Sequence, residues 1–255
     1  MRITNFRANK ISGWHNSTIK QGDYMEYAIA PQAPVAVPVA GTSQFFPVRR
    51  IYCVGRNYVE HAKEMGHSGR EAPFFFMKPA DALLVVPAGA TGEMAYPGMT
   101  SDLHHEIELV VAIGKGGRDI AAADASAHIW GYAVGLDMTR RDLQGESKKL
   151  GRPWDTGKGF DQSAPIAPLH PVSQTGLLEK GNIRLDVNGA ARQNSDISKL
   201  IWNVAETIEH LSRYFELQPG DLIFTGTPEG VAAVQKGDLL EGAVEGLTDL
   251  RVKVV

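Results

Sequence analysis

The sequence predicts a mixed α/β domain dominated by β structure, with a few helices laid over its strands. Three observations carry this reading. The apolar runs between residues 48 and 136 have the length and composition of short strands. The regular strand–helix alternation of a doubly wound sheet is missing. Two glycine-rich hairpin zones, at Asn188–Gly189 and in the tail from Asp238 to Val255, join strand directly to strand. A chain of 255 residues is long enough for one large core, or one core with a small appendage.

Met1 to Asp23 is polar and weakly patterned, and Pro31 to Pro38 is rich in Pro, Ala and Val, which suits an extended arm. Residues 1–46 are therefore expected to be an N-terminal extension, and residues 47–255 the folded domain. Val48 to Val54 is a strand ended by Gly55. Arg56 to Gly66 is polar and helix-compatible, while Phe74–Met77 and Leu83–Val86 are apolar strands. A Gly-, Pro- and Asp-bearing loop from Gly89 to Asp102 leads into a strand that begins at Glu106. Ile120 to Ala127 is alanine-rich and short, a helix by propensity. Ile129 to Leu136 is an apolar strand ending at Asp137. Thr139 to Leu150 reads as a helix stopped by Gly151, Arg152 and Pro153. Ile197, Leu200, Ile201, Val204, Ile208, Leu211 and Phe215 form one stripe, predicting a helix over 198–215 with Ser195 or Asp196 as cap. Pro219–Gly220 turns the chain into a strand at Leu222–Phe224, and Thr225–Gly226–Thr227–Pro228 is a tight polar loop.

Polar and apolar residues alternate from Glu106 to Leu109, so Glu106 and Glu108 present two carboxylates on one strand face. Two anions side by side are unfavourable unless a cation stands between them. An all-oxygen set selects a hard divalent ion such as Mg²⁺ or Mn²⁺ over zinc. Two solvated glutamates on a half-exposed strand is the plain alternative. Asp137, at the end of an apolar strand, is the candidate third ligand, although spacing alone does not bring it to the glutamates. His104 stands at the entrance and His105 faces away by alternation, so neither is counted as a ligand.

His61 and Glu64 lie three apart, close enough to meet on one helical turn. A carboxylate that holds an imidazole raises its basicity, as a general base for water requires; a surface histidine is the alternative. Arg56 is suited to clamping a carboxylate, or to a structural ion pair. Arg141 and Gln144 share one side of the helix after Asp137. Lys158 lies between Gly157 and Gly159, and Lys78 between an apolar run and a proline; either can be aimed at a ligand or be a solvated charge.

Several classes are disfavoured. The formal net charge is −3 with no long basic run, which argues against nucleic acid. No stretch has the eighteen or more apolar residues of a membrane span, and the first twenty residues lack the apolar core of a signal peptide. A cytoplasmic location is the expectation. The single Cys53, set in an apolar run, reads as a buried small residue.

Taken together, Gly55–Arg56–Asn57–Tyr58 with His61 and Glu64, Lys78–Pro79, His105–Glu106–Ile107–Glu108, Asp137–Met138–Thr139–Arg140–Arg141–Asp142–Leu143–Gln144, Lys158–Gly159–Phe160–Asp161 and Thr225–Gly226–Thr227–Pro228–Glu229–Gly230 resemble the fumarylacetoacetate hydrolase family. Spaced motifs in one order are specific where each alone would be weak. The resemblance covers about residues 47 to 255, and is nearest to the short acylpyruvate-hydrolysing members. It implies a β-roll of mixed strands with flanking helices, usually a homodimer. It implies Mg²⁺ or Mn²⁺ on Glu106, Glu108 and Asp137, and His61, Glu64 and Lys158 as catalytic residues. Arg56, Asn57, Tyr58, Lys78, Arg141, Gln144 and Thr225 would then surround a small 2,4-dioxo acid. Related decarboxylases and isomerases share this pyruvate-directed chemistry. A non-catalytic small-molecule binding protein of similar fold is the alternative of another class.

Overall fold

A computed structural model describes residues 27–60 and 70–255; His61 and Glu64 lie outside the described residues. The chain divides after Ala33. Residues 27–33 contain no helix or strand, and the architecture below is that of Pro34–Val255.

Short strands dominate, as the apolar runs predict. β1 (Ala36–Pro38) and β2 (Phe45–Pro47) form a small antiparallel pair. The main sheet runs β4 (Phe74–Lys78), β3 (Ile51–Gly55), β15 (Leu222–Phe224), β8 (Ile107–Ile113), β9 (Ile129–Leu136), β11 (Ala164–Ile166) and β5 (Leu83–Val85), with β12 (His170–Pro171) also on β9. It is mixed: β15–β3 and β11–β5 are parallel, the other pairs antiparallel. A second sheet has the order β14 (Ala190–Asp196), β13 (Asn182–Val187), β17 (Leu239–Val244), β18 (Leu250–Val254) and β6 (Gly92–Met94). β7 (Leu103–His104) pairs with both β10 (Thr139–Arg140) and β16 (Ala233–Val234).

β8 shows why the main sheet is central. All seven of its residues are buried, the signature of a strand covered on both faces. Leu109, Val111 and Ile113 join a core with Ile183, Leu185, Leu240 and Val252 of the second sheet. Val110 and Ala112 face the opposite core with Val37, Phe46, Cys53 and Phe224. Each fully buried aliphatic side chain of this kind contributes about 1.5–3 kcal/mol of transfer free energy. Cys53 is a core residue whose thiol pKa is pushed up by burial, then by nearby Asp137.

The Asn188–Gly189 turn forms as expected, with φ of 53° and 74°, the double positive φ of a two-residue hairpin loop. Three helical expectations shift. The alanine-rich segment is a 3₁₀ helix at Ala122–His128, and the helix after Asp137 is Arg141–Leu150, with Thr139 and Arg140 drawn into β10. The 198–215 helix is instead a 3₁₀ turn at Ile197–Lys199 and a separate α-helix at Val204–Tyr214. Asn203 is its cap: the side chain accepts from Glu206 N at 3.0 Å while Glu206 accepts from Asn203 N at 3.1 Å. Asp196 caps only the 3₁₀ turn. The break lets the backbone at Ile201 and Trp202 bond Asn57 instead of continuing a helix.

Candidate metal and substrate site

Three adjacent strands end at one rim of the main sheet. β8 starts there, while β9 and β15, antiparallel to it, finish there. Asp137 N donates to Glu106 O at 2.8 Å, so the residue after β9 sits beside the residue before β8. One ligand atom from each of Glu106, Glu108 and Asp137 lies within 4.8 Å of the others, and all three residues are buried. The loop after β15 completes the rim: Gly226 N donates to Glu108 Oε2 at 2.8 Å. Gly226 has φ of 101°, and a Cβ there would stand 2.6 Å from Asn57 Cβ, so this approach requires glycine.

Three cations face these three anions. Lys158 Nζ donates to Glu106 Oε2 at 2.8 Å, to Asp137 Oδ2 at 2.7 Å and to Thr139 Oγ1 at 2.7 Å. Lys78 Nζ lies 2.8 Å from Asp137 Oδ1, an ion pair whose angle is too poor for a hydrogen bond. Lys78 also donates to the carbonyls of Met138 and Lys158. The Arg141 guanidinium pairs with Glu106 Oε1 and donates to Gln144 Oε1 at 2.6 Å. Both lysines are buried, so neither is the solvated charge that sequence left open.

Burial acts on Glu108 and on Lys158. It pushes the Glu108 pKa well above the usual range, and the Asp137 and Glu106 charges add to this, against the Gly226 N–H and Lys158. For Lys158, burial lowers the pKa, but Asp137 and Glu106 outweigh it and the net shift is upward. A carboxylate held partly against its ionisation, among buried acidic oxygens, is a donor set that a divalent cation fits.

The other candidates take distinct places. Asn57 is fully buried and its amide is engaged by backbone: Nδ2 donates to Trp202 O and Thr225 O, and Oδ1 accepts from Trp202 N. Tyr58 is buried, and its hydroxyl pKa is raised by burial and then by Glu108. Thr225 Oγ1 donates to Leu109 O at 2.9 Å. Arg56 lies over the Phe74 ring, 5.0 Å from its centroid, and lines a cavity of about 610 Å³. His104 is half-buried between Asp102 and Arg141, and its pKa is lowered by burial, then by Arg141.

Sequence reasoning missed Gln193. Its Oε1 accepts from Ile107 N at 3.1 Å and bonds His105 Nδ1 at 3.0 Å, while Nε2 donates to Thr227 Oγ1 and Pro228 O, both at 2.8 Å. One buried amide thus ties the start of β8 to the loop that bonds Glu108. Its visible signal is a glutamine on the inward phase of β14, four residues after Gly189. Burial lowers the His105 pKa to about 4, so its ring is neutral.

Residues 50–255 match the family model described as "Fumarylacetoacetate (FAA) hydrolase C-terminal". The chain belongs to the fumarylacetoacetate hydrolase family. Its fold is the family's β-roll with flanking helices. A fumarylpyruvate hydrolase from Ralstonia sp is 50% identical over 184 residues, covering 72% of this chain and 93% of that protein. The crystal structure of a Pseudomonas aeruginosa fumarylpyruvate hydrolase in complex with Mn²⁺ and pyruvate is 60% identical with a TM-score of 0.89, covering 90% of this chain and 99% of that one. A mitochondrial oxaloacetate decarboxylase from Dictyostelium discoideum is 38% identical over 208 residues, covering 81% of this chain and 94% of that protein.

Proposed function

We propose that the protein is a carbon–carbon bond hydrolase that cleaves 3-fumarylpyruvate, a 2,4-dioxo acid, to fumarate and pyruvate, with Mg²⁺ or Mn²⁺ as cofactor. The observation that carries this is the buried meeting of Glu106, Glu108 and Asp137 with Lys158 in their midst. The relatives named as fumarylpyruvate hydrolases, one of them in complex with Mn²⁺ and pyruvate, support the substrate. The reaction suits the gentisate route of aromatic breakdown, and the assembly is a homodimer, as the family resemblance implies.

Glu106, Glu108 and Asp137 would hold the divalent ion, which would supply positive charge where negative charge builds on the pyruvyl oxygens. Lys158, kept protonated by Asp137 and Glu106, would turn one of its three N–H donors from these protein oxygens to the same developing charge once an ion takes up the carboxylates. Arg141, held by Gln144, and Lys78 flank the anionic substrate, with Thr225 at the rim. Asn57 holds the rim loop through Thr225 O, and both Asn57 and Tyr58 are buried. His61, oriented by Glu64, takes a proton from water, and the resulting hydroxide attacks the acyl carbonyl. The carbon–carbon bond then breaks, and the departing pyruvyl carbon is protonated to give pyruvate.

Absorbance assays with fumarylpyruvate, maleylpyruvate, acetylpyruvate and oxaloacetate, with Mg²⁺ present or chelated, test the proposal. Fumarylpyruvate should lead by at least about tenfold in kcat/KM, equivalent to roughly 1.4 kcal/mol of transition-state binding. Full activity after removal of divalent ions would sink it. The oxaloacetate decarboxylase relative supports a second reading, decarboxylation of oxaloacetate at the same pyruvyl end, which the same panel distinguishes. Other acylpyruvate hydrolysis or isomerisation of 2-oxo acids would also show in the order of substrates.

A further inference from the structure

We infer that Phe74, Phe76 and Trp154, with Arg56 at the far end, form the acyl subsite, a slot for a flat unsaturated chain that ends in a carboxylate. The inference rests on the acylpyruvate reading above and adds the residues that select the acyl group. Phe74 and Phe76 are two apart on β4 and point to the same side of it. Trp154 packs against both rings, edge-on to Phe74 at 5.3 Å and tilted to Phe76 at 5.6 Å. The row begins at the carboxylate cluster, because Lys158 Nζ, bonded to Glu106 and Asp137, also lies 5.0 Å from the Phe76 ring centroid. It ends at the Arg56 guanidinium, 5.0 Å from the Phe74 centroid. Phe74, Phe76, Trp154 and Arg56 all line the cavity of about 610 Å³, a size that accommodates a small ligand.

This arrangement carries chemical information at both ends. Near the cluster, anions and cations are set for a pyruvyl group. Phe74, Phe76 and Trp154 give the cavity a half-buried aromatic wall, which favours a planar conjugated chain over a bent saturated one. At the far end stands a guanidinium backed by a ring, the arrangement that recognises a carboxylate. Arg56 has φ of 57°, an uncommon backbone state for a non-glycine residue, which fits a side chain whose placement matters more than local comfort. Asp155 also lines the cavity, but from its exposed side, where water screens its charge.

The test compares the Mn²⁺-loaded wild type with Trp154→Leu, Phe74→Leu and Arg56→Gln on fumarylpyruvate and acetylpyruvate, the latter having too short an acyl group to reach Arg56. Each variant should lose at least about tenfold more kcat/KM on fumarylpyruvate than on acetylpyruvate, mainly through KM. Fumarate should inhibit each variant less well, while the inhibition constant of pyruvate moves less than about threefold. Equal losses on both substrates overturn the subsite. If the wild type hydrolyses neither substrate, the reaction reading fails by itself. Calorimetry of fumarate on the Mn²⁺-loaded wild type and Arg56→Gln then decides the subsite, with equal affinities overturning it. Should Trp154→Leu or Phe74→Leu not fold, Trp154→Phe and Arg56→Gln give the same substrate comparison.

Discussion

Lys158 Nζ stands 2.7 Å from Asp137 Oδ2, with both side chains almost wholly removed from solvent. In the interior such a pair repays its desolvation only if both partners remain, since removing one strands the other as an uncompensated charge. Lys158 also serves Glu106, so its loss would leave Asp137 with Lys78 alone and Glu106 with Arg141 alone.

Lys158→Met should therefore destabilise the metal-free protein, though by less than the roughly 3–5 kcal/mol of a pair broken to leave a lone buried charge, because Lys78 and Arg141 remain. Mn²⁺ should restore much of that, because it binds the folded state at the very oxygens left unpaired. Turnover should stay at least about a hundredfold down even with metal saturating, because the donor to the developing charge is gone. Denaturant unfolding with and without Mn²⁺, beside steady-state kinetics, measures both halves. Wild-type turnover in the folded variant would remove Lys158 from the mechanism.

The folded surroundings of Glu108 make stability depend on pH. Its pKa is raised in the folded state by burial and then by Asp137 and Glu106. The folded form therefore binds a proton more tightly than the unfolded chain. Its stabilising contribution is complete below the ordinary glutamate pKa, and it is lost as pH rises through the raised folded value. A divalent ion replaces that proton, so metal binding strengthens over the same range. The gain in Tm on adding Mn²⁺ should be small near the ordinary glutamate pKa and grow as pH rises above it. Thermal scans at fixed ionic strength check this, and a gain that shrinks with rising pH would contradict it.

The carboxylate cluster was legible because it follows from short-range rules. Strand alternation puts Glu106 and Glu108 on one side, and the apolar run of Ile129–Leu136 delivers Asp137 to a strand end. Only the pairing of β8 with β9, a long-range fact, brings them together. Gln193 was illegible for the same reason in reverse, since its partners lie 86 to 88 residues back and 34 to 35 ahead in the chain. The break before Val204 was missed because the apolar stripe continues across it. A side-chain cap at Asn203 and the Asn57–Trp202 bonds override periodicity there. The aromatic slot needed distances, because Phe76 and Trp154 meet across β4 and a loop that sequence pattern does not relate.

His61 and Glu106 should fail differently when truncated. His61→Ala removes the proposed base and should lower kcat by about a hundredfold or more with metal affinity little changed. Glu106→Ala removes an oxygen donor and a partner of both Lys158 and Arg141, so metal binding and turnover should fall together. Metal titration beside kinetics separates the two. Unchanged turnover in His61→Ala would withdraw the base assignment.

Gln193 should prove as important to the metal as the residues that would hold it. Its amide makes four hydrogen bonds in a site with almost no solvent, joining Ile107 N and His105 to Thr227 and Pro228. Gln193→Leu keeps the volume but leaves several buried polar groups unpaired, at about 1–3 kcal/mol each where no water reaches them. It also frees the loop whose Gly226 N–H fixes Glu108 Oε2. Loss of such an outer support typically weakens metal affinity by about 10–100-fold. Mn²⁺ affinity should thus fall in Gln193→Leu while the second sheet keeps its protection in hydrogen exchange. If affinity is unchanged, the amide stabilises the fold without orienting the carboxylates, and the link between β14 and the metal site must be given up.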